Sequence, residues 1–451
     1  MPARVRSAQD ASGGCEAVAL GVAAGDGPAE AADGAADGEP DAGVGESGVG
    51  LAVALGAQPP IVRMRPATTM RRASAMRRAG VIRYLVLLLG PVRRPPLPTR
   101  VTPRRRQCGA KVGEVAQNQS DATVPRQTPE DPMRPWFGLH LPSYTFPDTP
   151  PERIFDRLLE QVRAAEEAGF DLISVMDHLY QIQGVGPVTD PMLEGWSTLA
   201  ALARETTRPR LGTVVTGVTY RNPALLAKTA TTLDAISGGR AIMGIGAAWN
   251  DVEHAGYGFE FPPVRERMDR LDEALTIIRA MFTEERPSFT GRYYRIEEAL
   301  NVPRPVQPGG PRIMVGGGGE QRTLKIAAKH ADMTHWFPLG FDVLRHKTEV
   351  LERHCAEIGR DPATIERTMA SPVLVVGNDA EKQAALAMIP EERRPYVNVG
   401  PPEQMADALR PYIDAGFTGF TFNNSIYRTP EAIARIGELL KLVDARSAAV
   451  A

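Results

Sequence analysis

RIMVGGGGEQRTLKIAAKHA, residues 312–331, sets an apolar run before four successive glycines and then repeats apolar residues at helical spacing. It reads as a strand (312–317), a loop without side chains and a helix, which is one βα unit. Bare amides at a helix N-terminus suit an anion, and a tight strand-to-helix turn would use the same glycines. A dinucleotide fingerprint places its acidic residue about 20 positions further on. Asp332 is too close for that and opens the next apolar run. The neighbouring units therefore decide what Gly316, Gly317, Gly318 and Gly319 do, with Arg322 and Thr323 behind them as a charge and a hydroxyl.

Outward from this unit the same alternation recurs. WFGLHLP (136–142), DLISVMDH (171–178), RLGTVVTG (210–217) and RAIMGIGA (240–247) read as strands one to four. DMTHWFP (332–338), MASPVLVVG (369–377) and GFTFNN (419–424) follow as six to eight. Between them lie amphipathic helices. In PPERIFDRLLEQVRAAEEAGF, Ile154, Leu158, Val162 and Ala165 share one face and Gly169 supplies the stop. NPALLAKTATTLDAIS offers Asn222 as a cap with Pro223 at the first helical position. SGGR (237–240) ends that helix and feeds strand four. Residues 287–310 form an excursion rich in turn and strand formers. Eight strands with helices between them give a (β/α)8 TIM barrel with insertions, in preference to a doubly wound sheet.

Composition separates a preceding segment from this body. Residues 1–132 contain one aromatic residue, Tyr84, while every Trp, Phe and His of the 451-residue chain falls later. The segment is first Ala/Gly/Asp/Glu-rich and then Arg/Pro-rich, with a net charge of +4 that leaves −6 for the remainder. Such a stretch buries too little apolar surface to offset its ordering entropy. It is expected to be a disordered, low-complexity extension, or upstream sequence with the functional start at Met133. YLVLLLG (84–90) is far shorter than the roughly 20 residues of a membrane span. The acidic body argues against nucleic-acid binding, and neither nucleic acid nor membrane is an expected partner. Three cysteines without a cluster fit a reducing cytoplasm.

In a barrel of this type, chemistry sits at the carboxyl ends of the strands. Those ends carry Pro142, Asp177 and His178, Thr216 and Gly217, Ala247 to Asn250, the four glycines, His335 and Trp336, Ser371, and Asn423 and Asn424. They contain no metal-ligand spacing, no G-x-S-x-G elbow and no paired strand-end carboxylates for glycoside hydrolysis. A polar mouth with so little intrinsic reactivity points to a bound organic cofactor.

AEEAGFDLISVMDH, VVTGVTYRNPALLAKTATTLDAISGGRAIMGIGAAWNDVEHAGYGFEFPPVRERMDRLDEAL and PRIMVGGGGEQRTLKIAAKHAD together resemble the luciferase-like monooxygenase superfamily. Within it they look most like the branch that uses the deazaflavin coenzyme F420. The resemblance covers nearly all of residues 133–445. It implies a barrel with insertions after strand four and near strand seven, and a non-proline cis peptide within Thr213–Thr216, including Val214, that backs the cofactor ring. It implies that Asp177–His178 sets a histidine at the reacting face, where imidazole can give or take a proton near neutral pH. The glycine loop would receive the cofactor phosphate.

In related sugar-phosphate dehydrogenases a glutamate serving as acid stands about where Trp249 stands here, which puts sugar-phosphate oxidation in doubt. Trp249 would instead wall the ring, with Asn250 and Glu253 as polar contacts. Glu253 would either take the acid's role or pair on a helix. His335 and Trp336 would line the pocket of a small organic substrate. Two rivals stay open: an FMN-dependent monooxygenase on the same fold, and a non-redox barrel for phosphate ligands. The family commonly forms dimers, so a homodimer is a further expectation.

Overall fold

The computed structural model describes residues 134–389 and 391–448. The expectation for residues 1–132 lies outside the described residues. Eight parallel strands form a closed ring: β1 Trp136–Leu141, β2 Leu172–Val175, β3 Arg210–Thr213 with its continuation Thr216–Gly217, and β4 Ala241–Gly246. β5 Arg312–Gly316, β6 Met333–Trp336, β7 Glu366–Ala370 and β8 Phe417–Asn423 complete it. Each strand pairs with the next, and β8 pairs with β1, where Leu139 lies opposite Phe422. The barrel expected from the strand count is present.

The helices take their places as the sequence pattern indicates. α1 (Ile154–Ala168) buries Ile154, Leu158, Val162 and Ala165 and ends where Gly169 turns left-handed at φ 93°. α2 is Gly195–Glu205 and α3 is Pro223–Ser237. The Asn222 side chain caps α3 by accepting the Ala224 amide at 2.9 Å. Arg240, just past that helix, latches two layers together. Its guanidinium donates to the carbonyls of Ala203 and Thr206 at the end of α2, satisfying groups that a helix end leaves free.

Two parts of the sequence reading are corrected. The seventh strand is not residues 369–377 but Glu366–Ala370. Pro372 follows, and Val373–Val375 then leaves the barrel to pair with Asn398–Gly400 in a separate two-stranded sheet. A proline cannot donate to a ladder, so the apolar run splits there. The segment after strand four also contains a short helix, α4 (Asp251–Tyr257), ahead of α5 (Val264–Thr283). The excursion at 287–310 contains the hairpin Phe289–Thr290/Arg295–Ile296. The remaining helices are α6 (Thr323–His330), α7 (Phe341–Glu357), α8 (Asp379–Met388), α9 (Pro402–Asp414) and α10 (Pro430–Ala448).

The core has two compartments. Between barrel and helices lies one continuous apolar layer that includes Phe137, Phe420, Phe422, Leu271 and Leu275. Inside the barrel, Trp136, Leu172, Ile242, Met314 and Met333 plug the amino-terminal end. Side chains two positions along the same strands face the same interior. There the lining becomes polar: His140 meets Ser174 at 3.0 Å, and His335 meets Thr368 at 2.9 Å and Thr421 at 3.4 Å.

Candidate active site

The site is built on the break in β3. The peptide between Val214 and Val215 is cis, within the stretch Thr213–Thr216 where the resemblance places it. The break lets Val215 lean over β4 and β5. A Cβ at Gly316 would lie 2.9 Å from both Val215 methyls, and one at Gly246 would lie 3.1 Å from Val215 Cγ2. A Cβ at Gly244 would stand 2.0 Å from the Thr213 carbonyl. Gly244, Gly246 and Gly316 are therefore bare because the bulge occupies their side-chain space.

That divides the four glycines. Gly316 serves the bulge, whereas Gly317, at φ 106°, turns the chain and is exposed. Among the described residues, no group accepts from the amides of Gly318 and Gly319. Lys347 on α7, itself buried, donates to the Gly318 carbonyl at 2.6 Å and stands 3.7 Å from Glu320. Two unclaimed loop amides beside a buried ammonium fit an anionic group. Arg322 is turned away from that spot: it pairs with Asp269 and donates to the Arg265 carbonyl at 3.2 Å. Thr323 opens α6, its Oγ1 2.9 Å from where a Gly319 Cβ would stand.

Asp177 and His178 follow β2 and point to different tasks. Asp177 is buried, and its carboxylate accepts from Arg221 and the Thr216 hydroxyl. Thr216 in turn accepts the Trp196 indole N–H at 3.1 Å, and Arg221 reaches Glu194 at 2.7 Å. This chain of contacts ties β2, α2 and the far side of the bulge together. Thr213 spends its hydroxyl on the Gly244 carbonyl at 2.8 Å. The Val214 amide donates to the Val175 carbonyl at 2.9 Å.

His178 carries the open group. Its Nδ1 is 2.7 Å from Glu253 Oε2. A carboxylate only accepts, so Nδ1 carries the hydrogen and Nε2 is the nitrogen left over; no described group hydrogen-bonds it. The His178 side chain is 13% exposed, while Glu253 is fully buried. Burial opposes the charge of Glu253, yet the hydrogen bonds from His178, the Leu179 amide and Tyr220 outweigh it and hold the carboxyl below its usual range. At neutral pH Glu253 is an acceptor and not a proton donor, and it pairs with His178. Asn250 caps α4 by accepting the Glu253 amide and so fixes where that carboxylate starts. Trp249 is 40% exposed and meets the His178 ring edge-on, with centroids 5.3 Å apart.

The two residues expected in the substrate pocket part company. His335 faces the barrel interior, as described above. Trp336 faces the opposite way, 2% exposed and packed against Phe417 in the layer beneath the helices. Its place in the pocket is corrected, because neighbouring strand residues point to opposite faces. No motif marks His140 in the sequence, although it shares an interior face with Trp136 and Gly138 by the two-residue period. Burial depresses its pKa to about 4, with the His178 charge adding and Ser174 opposing. Burial likewise brings His335 to about 3, with His140 adding. Both rings are neutral at neutral pH. Lys347 lies mid-helix, where no sequence signal marks it. Among the described residues no group of side chains could hold a metal ion, and no helix is long and apolar enough to cross a membrane.

A closed parallel barrel with a break in its third strand and a histidine paired with a buried carboxylate at its mouth defines the class of this chain. The profile of the luciferase-like monooxygenase family matches residues 137–398, and the chain belongs to that family. It is 31% identical over 290 residues to an F420-dependent glucose-6-phosphate dehydrogenase of Kineococcus radiotolerans, spanning 57% of this chain and 84% of the relative. It is 35% identical over 237 residues to an F420-dependent hydroxymycolic acid dehydrogenase of Mycobacterium tuberculosis, spanning 51% of this chain and 62% of that one. Among solved structures, an F420-dependent secondary alcohol dehydrogenase in complex with an F420-acetone adduct superposes with a TM-score of 0.57 at 20% identity. That match covers 69% of this chain and 99% of the other. Long-chain alkane monooxygenase superposes with a TM-score of 0.58 at 16% identity, covering 70% and 92%. These two likenesses speak for the fold.

Proposed function

We infer that the chain is an oxidoreductase that uses coenzyme F420 on a small organic substrate. The observation that carries this reading is its sequence relationship to dehydrogenases named for that coenzyme. The geometry of the mouth is compatible with it. The Val214–Val215 bulge would back the ring, and the Gly318 and Gly319 amides with Lys347 nearby would receive its phosphate. Bound F420 supplies a carbon that takes up or gives back a hydride.

The residues of this chain then have separable tasks. His178 Nε2 holds or delivers the proton that accompanies oxidation or reduction at the substrate. Glu253 fixes the ring through Nδ1 and, being ionised, keeps that tautomer. Trp249 screens one side of the imidazole from water. The neutral His140 and His335 line the interior without adding charge, so a reacting group there is met by hydrogen bonds alone. With Trp249 at the position where related sugar-phosphate dehydrogenases carry an acid, a sugar phosphate is not the substrate in this reading.

The experiment is His178→Ala in the full chain. General acid–base groups contribute about 10²–10⁴-fold, so turnover of F420 with an accepted substrate should fall by that factor while F420 affinity is kept. Turnover within about twofold of the parent would remove His178 from the reaction.

A further inference from the structure

A cavity opens where β6, β7 and β8 end, against the insertion that carries Val373–Val375 and Asn398–Gly400. Its walls are apolar: Leu374, Ile389, Val397 and Ile426. Pro338, between the exposed Phe337 and Leu339, is also part of its lining. Thr421 and Ala370 form its inner end, and Thr421 also touches His335. The cavity therefore reaches the polar lining of the barrel.

Among the described residues that line it, no side chain is acidic and one is cationic, Arg393. Other polar groups there are already spent. Ser371 bonds the backbone of Val373, and the Tyr427 hydroxyl accepts the Val375 amide at 2.9 Å. Arg393 and the side-chain amide of Asn423 have no partner among the described residues. A cationic residue and an amide residue in an otherwise mostly apolar lining, neither side chain holding a hydrogen-bond partner among the described residues, leave a specific chemistry unmatched.

We propose that this cavity binds an apolar molecule bearing a single carboxylate, with Arg393 and Asn423 taking the carboxylate and the apolar body lying against Leu374, Ile389, Val397 and Ile426. A guanidinium matches a carboxylate in a two-bond fork. A neutral apolar molecule would leave that cation unpaired, and a polyhydroxylated phosphate would leave its hydroxyls against hydrocarbon walls without partners. The inference rests on the proposed function only in making this compound the reaction's substrate class; the binding stands independently.

The probes are hexanoate, 1-hexanol and hexylamine, titrated by NMR into the full chain with and without F420, alongside Arg393→Gln and Arg393→Lys. Hexanoate should bind at least tenfold more tightly than 1-hexanol and far more tightly than hexylamine. Arg393→Gln should remove that preference without changing the affinity for 1-hexanol, and Arg393→Lys should restore part of it. Equal binding of hexanoate and 1-hexanol, no effect of Arg393→Gln, or no hexanoate binding in either state would overturn the proposal. F420 affinity measured on the same samples separates the two readings. Hexanoate binding without F420 binding would sink the proposed function and leave the cavity assignment standing.

Discussion

Histidines decide the character of the mouth. Of the seven in the chain, His330 and His354 are held on helices by Asp272 and by Glu357 with the Glu320 carbonyl, His346 is exposed on α7 between Glu320 and Glu349, and His254 is spent between Asn250 and Thr219. His178 alone keeps a nitrogen at the mouth with a carboxylate behind it. Glu253→Gln should therefore slow turnover by about tenfold or more while leaving F420 affinity in place, because a neutral amide can donate to Nδ1 and fix the wrong tautomer. A Glu253→Gln protein as active as its parent would contradict the positioning role. His140 and His335 make a separate prediction in stability. Their folded pKa values lie below that of a free imidazole, so between about pH 6.5 and 4 the unfolded chain binds protons that the folded chain does not. Stability is full above that window and declines as pH falls through it, by up to about 1.4 kcal/mol per pH unit for each ring. Urea midpoints should drop between pH 7 and pH 5, and His335→Gln should flatten the drop. Glu253 acts only lower: its depressed pKa gives stability that is present above the ordinary carboxylate range and lost beneath it. A midpoint constant from pH 7 to pH 5 would refute the neutral-histidine account.

At the scale of elements, the glycines of β4 and β5 and the bulge of β3 are one packing unit. Gly316→Ala should cost about 1–3 kcal/mol by overpacking, because its methyl would meet Val215 and not solvent. Combining it with Val215→Ala should cost less than the two changes added together, by about 1 kcal/mol in a denaturant cycle. Strict additivity would place the bulge elsewhere. The elements show why the sequence was readable in part. Long periodic helices and buried strands declare themselves by spacing, and the cap at Asn222 and the stop at Gly169 are local chemistry. The division of the four glycines is not local: Gly316 is bare because of Val215, about a hundred residues earlier. Likewise the end of β7 is set by Pro372 and by pairing with residues 398–400, which an apolar run cannot show by itself. Trp336 adjoins His335 in sequence, yet the pleat sends it into the core and not to the mouth. Lys347 became visible only when α7 was laid against the glycine loop.

At the scale of the molecule, the eight strands of the ring and the core residues named for both compartments fall within residues 134–448. A chain beginning at Met133 should keep the urea midpoint and the F420 affinity of the full chain. A loss of either would assign the first 132 residues a part in the barrel's stability or in its site. The central claim is cofactor choice, and the most direct measurement is a fluorescence titration of the purified full chain with F420, run in parallel with FMN. Saturable one-site binding of F420, at least tenfold tighter than FMN, is the predicted result. Tight FMN binding with no saturable F420 binding would contradict the account.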